Sequence, residues 1–325
     1  MSYIDMHCDT LMMALFKNAN LNDSKDVAVD FKRMKEAGAL AQFFAIYMPD
    51  KPTYELFNIK PMEDQEYFDA TFALFLKNLQ EHQDVIARAY TAKDVLENRQ
   101  KGLMSAILTM EDGRMVNGDF EKIEDFYDLG VRALALTWNY ENCFGFPNSD
   151  DTDVMSKGLK PFGKEAIGFM NELGMLVDVS HLSDGGFWDV AKISEKPFIA
   201  THSNCRELSP HRRNLSDEMI KVLAEHGGVM GLNFCGAFLN ADTKCEKSTI
   251  DAMVAHLKHA RKVGGIEVVA LGSDLDGFAG EMDISHCGEF PKLFDRLRKE
   301  GFTESELDKI THENVLRVMK DTLWG

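Results

Sequence analysis

Eight short apolar stretches alternate with longer amphipathic stretches along the 325 residues of this chain, and this alternation strongly constrains the fold. Most of the apolar stretches are nearly continuous in Leu, Ile, Val, Phe, Met and Ala, which is typical of strands buried on both faces of a parallel sheet. The predicted strands are Tyr3–His7, Leu40–Tyr47, Met104–Met110, Ala133–Trp138, Met175–His181, Phe198–His202, Val229–Phe234 and Val268–Ser273. Strands that alternate with helices form a parallel sheet, and eight of them close a (β/α)8 TIM-type barrel.

The stretches between the strands carry helical patterns. In Asp119–Leu129 and Ser216–His226, for example, apolar residues recur at intervals of three and four. The predicted helices tend to end at a glycine just before the next strand, a common stop signal, as at Gly38, Gly102, Gly130, Gly174, Gly227 and Gly265. A doubly wound sheet is the weaker alternative, because no glycine-rich phosphate fingerprint follows an early strand.

Domain organisation follows from the same pattern. No linker, low-complexity tract or tandem motif marks a boundary, and barrels of this kind reach this length as one unit. We therefore predict a single domain over residues 1–325. The segments Pro49–Pro61 and Asn148–Pro161 are predicted as loops at the barrel mouth.

Composition excludes several classes of partner. The net charge is −17 and the chain has no long basic run, which argues against nucleic acid and against an anionic membrane surface. No apolar run approaches the ~20 residues of a membrane-spanning helix, and the N-terminus lacks the pattern of a secretory signal. The six cysteines form no Cys-x-x-Cys pair, so we predict free thiols in a reducing compartment. We expect a cytoplasmic protein.

Polar residues stand at the carboxyl ends of several predicted strands, where barrels carry their active sites. Taken singly, a histidine or aspartate at a strand end is most often a loop cap or a satisfied polar group. Together, three imidazoles and three carboxylates at one rim indicate metal chemistry. These residues are His7, Asp9, Glu111, His181, His202 and Asp274.

The spacing of these residues predicts a centre with two metal ions. Side chains two apart on a strand point to the same face, so His7 and Asp9 can converge on one ion. The pair His181 and His202 would complete the other ion, with Glu111 as the bridging carboxylate and a bridging water made acidic by the metals. Asp274 would then take the proton from that water and pass it to the leaving amine.

Several segments of the chain are similar to the membrane (renal) dipeptidase family of the amidohydrolase superfamily. They are Ile4-Asp5-Met6-His7-Cys8-Asp9-Thr10, Met110-Glu111-Asp112-Gly113, Asp178-Val179-Ser180-His181, Thr201-His202-Ser203, Arg212-Arg213-Asn214-Leu215 and Gly272-Ser273-Asp274-Leu275-Asp276-Gly277. The resemblance implies a binuclear zinc dipeptidase with a (β/α)8 barrel and a metal-bridging hydroxide. It assigns His7, Asp9 and Asp274 to one zinc ion, His181 and His202 to the other, Glu111 to both, and Arg213 to the terminal carboxylate of the substrate.

The role of Arg213 also has support from chemistry, since a guanidinium offers a bidentate fork to a carboxylate. We expect the neighbouring Arg212 to form an ordinary surface ion pair. The chain departs from the family pattern after the fourth strand, where Leu-Thr-His is replaced by Leu136-Thr137-Trp138. The missing histidine contacts the tetrahedral intermediate in the family, so Trp138 and Asn139 become the candidate hydrogen-bond donors.

The sequence therefore predicts a zinc-dependent dipeptidase with two Zn²⁺ per chain, although Mn²⁺ and Co²⁺ also suit the ligand set. The expected substrate is a small dipeptide, with a D-residue tolerated at its C-terminal position, and we expect a homodimer. A metal-dependent lactonase or deaminase is the alternative within the superfamily, but Arg213 has no evident task on a neutral lactone. A metal-holding binding protein without turnover is disfavoured because Asp274, the proton carrier, is present.

Overall fold

The structure, a computed structural model, describes residues 1–324 and contains a parallel barrel. Its strands are β1 (Tyr3–Asp5), β2 (Ala39–Tyr47), β3 (Ile86–Arg88), β4 (Met104–Glu111), β5 (Val131–Ala135), β6 (Leu176–Asp178), β7 (Ile199–Ala200), β8 (Val229–Leu232) and β9 (Val269–Leu271). Within the described residues, eight strands follow the order β1-β2-β4-β5-β6-β7-β8-β9. The ring closes where the Met6 amide donates to the Leu271 carbonyl at 2.9 Å and Cys8 pairs with Leu275. The predicted (β/α)8 TIM-type barrel is confirmed.

Helices follow the strands and pack around the barrel. They are α1 (Thr10–Lys17), α2 (Phe31–Ala37), α3 (Lys51–Leu56), α4 (Asp64–Glu81), α5 (Ala92–Gln100), α6 (Phe120–Asp128), α7 (Thr152–Met155), α8 (Pro161–Leu173), α9 (Asp184–Ile193), α10 (Asp217–Glu225), α11 (Gly236–Leu239), α12 (Ile250–Gly264), α13 (Phe290–Lys299), α14 (Glu304–Asp308) and α15 (Asn314–Thr322). Short 3-10 turns cover Gly113–Val116, Ile266–Val268 and Cys287–Glu289, and a π-helical turn covers Lys309–Glu313. The predicted helices near residues 120 and 220 are found, and each begins at a capping side chain, Asp119 or Ser216.

The strands divide the core into an inner and an outer layer. Each of the eight barrel strands contributes at least one side chain to the inner apolar cluster, namely Ile4, Phe43, Ile107, Ala133, Leu176, Ile199, Val229 and Ala270. Successive side chains of a strand point to opposite faces, so the residues between them pack outward against the helices. On β4, Ile107 and every second residue after it up to Glu111 point into the barrel. Glu111 is the last of them and therefore lies above the inner apolar cluster, at the carboxyl end of the barrel.

Three details of the sequence prediction need correction. The predicted strands extend too far, since β1, β6 and β7 end before His7, His181 and His202 respectively. The short strand β3 was not predicted; it pairs with the first half of β4. The two segments predicted as loops contain α3 and α7, which begin after the capping residues Asp50 and Asp151. Over residues 1–324, no helix has the length and apolarity to cross a membrane, and the six cysteines are free.

Candidate metal centre

The six predicted metal ligands meet at one end of the barrel. Glu111 is the last residue of β4, and the other five follow β1, β6, β7 and β9 within a few residues. All six side chains are buried, and the most exposed, Asp274, keeps only 8% of its surface. Because the strands are parallel, their carboxyl ends share this face and bring together residues that are far apart in sequence.

One half of the centre surrounds His7, and we call it the His7 half. The His7 Nε2 atom lies 3.5 Å from Glu111 Oε2 and 3.7 Å from both Asp9 Oδ2 and Asp274 Oδ1. Gly277 packs against these carboxylates: a Cβ at this position would lie 2.2 Å from Asp9 Oδ2 and 2.4 Å from Asp274 Oδ1. Only a glycine at position 277 leaves room for both carboxylates.

The other half contains two imidazoles, and we call it the His181 half. Glu111 Oε1 lies 2.8 Å from His181 Nε2 and 3.3 Å from His202 Nε2, and the two nitrogens are 3.0 Å apart. The two carboxylate oxygens of Glu111 thus face different halves of the centre. This is the arrangement that a carboxylate shared between two ions requires.

Unpartnered polar atoms show that these residues fit metal ions. His7 Nε2 and Asp9 Oδ1 are buried without a hydrogen-bond partner within the described part of the chain. Asp9 stands at the N-cap of α1, yet its side chain does not cap the helix and lies beside His7 instead. Neutral imidazoles and carboxylates are ligands that zinc and similar divalent ions accept. The donor set therefore suits a pair of divalent cations.

A hydrogen-bonded chain behind His202 fixes the orientation of this imidazole. The Thr201 hydroxyl donates its only proton to Asp178 Oδ2, so Thr201 Oγ1 must accept the proton of His202 Nδ1, 2.8 Å away. Asp178 is itself held by the Ser180 hydroxyl and by backbone amides. The proton on Nδ1 leaves the Nε2 lone pair of His202 free for an ion. Sequence reasoning did not assign Asp178 or Thr201 a role.

Electrostatics differ between the two halves of the metal-free centre. Burial lowers the pKa of His7, but Glu111 and Asp9 outweigh burial and raise it well above the usual value. Burial and the neighbouring Glu111 raise the pKa of Asp9 to about 7. Burial and Arg213 lower the pKa of His181 to about 4, and burial and His7 lower that of His202 well below its usual value. The His7 half therefore retains protons near neutral pH, whereas the imidazoles of the His181 half are neutral.

Two arginines in the loop after β7 have different environments. Arg213 is 4% exposed, its Nη2 donates to the His202 carbonyl at 3.1 Å, and its Nε has no hydrogen-bond partner among residues 1–324. Among the described residues, no carboxylate lies within 4.0 Å of its guanidinium, whose pKa burial lowers to about 10. Arg212 instead forms an ion pair with Asp150. Arg213 is thus a buried cation that faces the centre without a counterion.

A cavity of about 740 Å³ opens above the centre. Glu111, Asp274 and Arg213 line it, and so do Trp138 and Asn139. Trp138 packs edge to face with Tyr47, their ring centroids 4.9 Å apart, and its ring lies 6.2 Å from that of His181. Of the nine predicted site residues, all but His7 and His202 line this cavity, whose size is common for small-molecule sites, and those two histidines contact Glu111.

Comparisons with known proteins agree with this geometry. A sequence profile described as membrane dipeptidase (peptidase family M19) matches residues 1–323. The chain is 35% identical over 238 residues to an uncharacterised protein in the pqqA 5′ region of Klebsiella pneumoniae, covering 71% of this chain and 87% of that protein. It is 34% identical over 227 residues to an uncharacterised dipeptidase of Schizosaccharomyces pombe, covering 69% of this chain and 54% of the relative.

A solved structure extends the similarity over the whole chain. It is a metallopeptidase from Rhodobacter sphaeroides, crystallised with a phosphinate mimic of the dipeptide L-Ala-D-Ala. It superposes with a TM-score of 0.89 at 28% sequence identity, covering 100% of this chain and 99% of the other.

Proposed function

The chain belongs to the membrane dipeptidase family and is a metallo-dipeptidase, and from that premise we propose that it uses two zinc ions to hydrolyse dipeptides. His7, Asp9 and Asp274 would hold one ion, His181 and His202 the other, and Glu111 both. When bound, such ions activate a water molecule for attack and polarise the peptide carbonyl. The presence of zinc, rather than Mn²⁺ or Co²⁺, and the number of ions are part of the proposal.

Asp274 is the residue that we propose to move the proton. Its Oδ2 accepts a hydrogen bond from Asn233 Nδ2 at 2.9 Å, and its Oδ1 faces His7 and the centre. The carboxylate would accept a proton from the attacking water and deliver it to the amine nitrogen as the peptide bond breaks. The bond to Asn233 would fix the orientation of the carboxylate during this transfer.

The environment of Arg213 is the observation on which we base a dipeptide as the substrate. A buried guanidinium beside the centre, with no carboxylate partner among the described residues, lacks the anion that would offset its desolvation. The terminal carboxylate of a dipeptide would supply that anion when its peptide bond lies over Glu111 and Asp274. The indole N–H of Trp138 and the amide of Asn139 would donate to the developing oxyanion in place of the missing histidine.

The experiment combines metal add-back with paired substrates. Protein treated with a chelator and reloaded with zinc should cleave Ala-Ala and should cleave its amide, Ala-Ala-NH₂, poorly. Arg213→Met should lower kcat/KM for Ala-Ala by roughly 10- to 100-fold, since a charge-assisted bond contributes about 1.5–3 kcal/mol. The same variant should lose little more on the amide, because the substrate group that it binds is already absent.

Arg212→Met is the matched control, since Arg212 already pairs with Asp150, and its effect should be much smaller. Equal cleavage of the amide and the free dipeptide by the wild type would contradict the binding of the terminal carboxylate by Arg213. That result would favour a lactonase or deaminase. Binding of zinc without hydrolysis of any dipeptide would favour a metal-holding protein. Tolerance of a C-terminal D-residue, a cytoplasmic location, a homodimer and a single catalytic domain also remain predictions.

A further inference from the structure

We infer that the N-terminal side chain of the dipeptide is recognised by an apolar wall across the cavity from Arg213, so that large apolar residues are preferred there. The inference rests on the proposed function and names its substrate class. We use "apolar wall" for the cavity-lining residues Met12, Met13, Tyr47, Leu56, Phe57 and Trp138. Its position, its hydrogen bonds and the charges around it support the inference independently.

The strand order places this wall on the side of the barrel opposite Arg213. Arg213 lies in the loop after β7, and β2, which ends at Tyr47, is four strands away from β7 in either direction around the ring. A dipeptide whose carboxylate meets Arg213 and whose peptide bond lies over Glu111 extends its first residue towards β2. The helices that follow β1 and β2 supply Met12 and Leu56 on that side.

A hydrogen bond engages the hydroxyl of Tyr47, so that this polar group of the wall already has a partner. Thr53 Oγ1 donates to Asp50 Oδ1 at 2.7 Å, so the Tyr47 hydroxyl, 3.1 Å from Thr53 Oγ1, must be the donor to it. Tyr140 donates to the second oxygen of Asp50 at 2.9 Å. Because Asp50 also caps α3 through the Thr53 amide, its carboxylate is fully engaged. Tyr47 therefore presents its ring, packed against Trp138, to the substrate.

The remaining charges at the cavity do not suit a charged N-terminal side chain. Apart from the metal centre, the charged residues that line the cavity within the described chain are Arg212, Arg213 and Asp276. Both oxygens of Asp276 accept from the Ala28 amide, and Oδ2 also accepts from Thr10. A lysine side chain of the substrate would thus find no free carboxylate at the wall. An acidic one would be desolvated against a wall that itself contains no cation.

The test is a comparison of kcat/KM for Phe-Ala, Leu-Ala, Ala-Ala and Lys-Ala with zinc-loaded wild type. Phe-Ala and Leu-Ala should exceed Ala-Ala by roughly tenfold or more, as expected for burial of a large apolar side chain, and Lys-Ala should be the poorest. Phe57→Ala should reduce the ratio of Phe-Ala to Ala-Ala by roughly 3- to 10-fold. Leu96→Ala, on the exposed side of α5 and outside the cavity, is the matched control and should leave this ratio unchanged.

A second variant avoids any effect on packing. Leu56 is 80% exposed, so Leu56→Glu should fold, and its new carboxylate should raise Lys-Ala relative to Phe-Ala. Hydrolysis of all four dipeptides at similar kcat/KM, or unchanged ratios in both wall variants, would overturn the apolar wall and leave the dipeptidase proposal standing. Absence of hydrolysis of every dipeptide would overturn the proposed function and this inference with it.

Discussion

The two halves of the candidate metal centre share Glu111 but differ in the chemistry of their other side chains. In the His7 half, one imidazole is surrounded by the carboxylates of Asp9, Glu111 and Asp274. In the His181 half, two imidazoles meet a single oxygen of Glu111. The first half is therefore rich in negative charge, whereas the second consists mainly of neutral nitrogen donors.

This difference determines how each half is prepared for a cation. The carboxylates of the His7 half keep His7 protonated, and Asp9 has a pKa of about 7, so an ion must displace protons to bind there. The imidazoles of the His181 half are neutral, and Thr201 fixes the Nδ1-protonated tautomer of His202. We therefore predict that the His181 half is preorganised by hydrogen bonds, whereas metal binding in the His7 half would require displacement of protons.

The largest expected effect comes from removal of the residue that the two halves share. Glu111→Ala should lose most of both ions, because each half loses one carboxylate oxygen. His7→Ala should mainly empty one half and serves as the comparison. Elemental analysis of dialysed protein after zinc supplementation measures both outcomes, and peptidase activity should fall by roughly a thousandfold or more in the Glu111 variant. Wild type that retains one ion or none under these conditions contradicts the binuclear centre.

The next effect concerns pH and separates the halves. His181→Ala leaves the His7 half, where the raised pKa of His7 means that protons compete with zinc. Its apparent zinc affinity should rise with pH, by about tenfold per pH unit for each proton displaced, between pH 6 and 8. His7→Ala leaves the His181 half, whose imidazoles should stay neutral in this range because burial, the largest cause of their lowered pKa values, remains in the variant. Its zinc affinity should therefore stay nearly constant.

Zinc titrations against a competing chelator at pH 6, 7 and 8 measure these two slopes. Calorimetry in buffers of different ionisation enthalpy gives the number of protons released. Identical dependence of zinc affinity on pH in the two variants would contradict the proposed difference, since it would mean that the halves do not differ in protonation.

The sequence predicted the barrel and the convergence of the six proposed ligands at one rim because both depend on periodic or strand-end signals. Apolar runs fix the strands, and parallel strands bring His7, Glu111 and Asp274 to one face whatever the details of the loops. The predicted strand ends were less accurate, because β6 and β7 stop before the polar residues that leave the sheet for the site. Helix α3 was predicted as a loop, although Asp50 and Pro52 are typical of a helix start.

The series of hydrogen bonds from Asp178 through Thr201 to His202 could not be predicted in the same way. Asp178 lies three residues before His181 and Thr201 directly before His202, but Asp178 ends β6 whereas Thr201 directly follows the neighbouring strand β7. Whether a threonine hydroxyl donates to a carboxylate or to solvent depends on the distance between those strands. A polar residue within an apolar strand, as Asp178 is, was the signal available in the sequence.

The smallest expected effect comes from a substitution that tests the hydrogen bonds behind His202 directly. Thr201→Val keeps the shape of the side chain but removes the hydroxyl that accepts the His202 Nδ1 proton. His202 is then free to carry its proton on Nε2, the atom that faces Glu111. Zinc affinity of the His181 half should fall roughly 10-fold, because loss of such a support typically weakens metal binding 10- to 100-fold. Affinity of the His7 half should change much less.

Thr71→Val, the same change at a buried threonine on α4 away from the centre, controls for loss of a hydroxyl as such. ¹⁵N chemical shifts of the histidine rings report the tautomer independently of activity, so a structural disturbance can be distinguished from loss of orientation. Equal weakening of both halves in Thr201→Val would mean that the substitution distorts the barrel mouth as a whole. Selective weakening of the His181 half, with a changed His202 tautomer, would establish that this half is preset by hydrogen bonds from Asp178 and Thr201, whereas the His7 half is not.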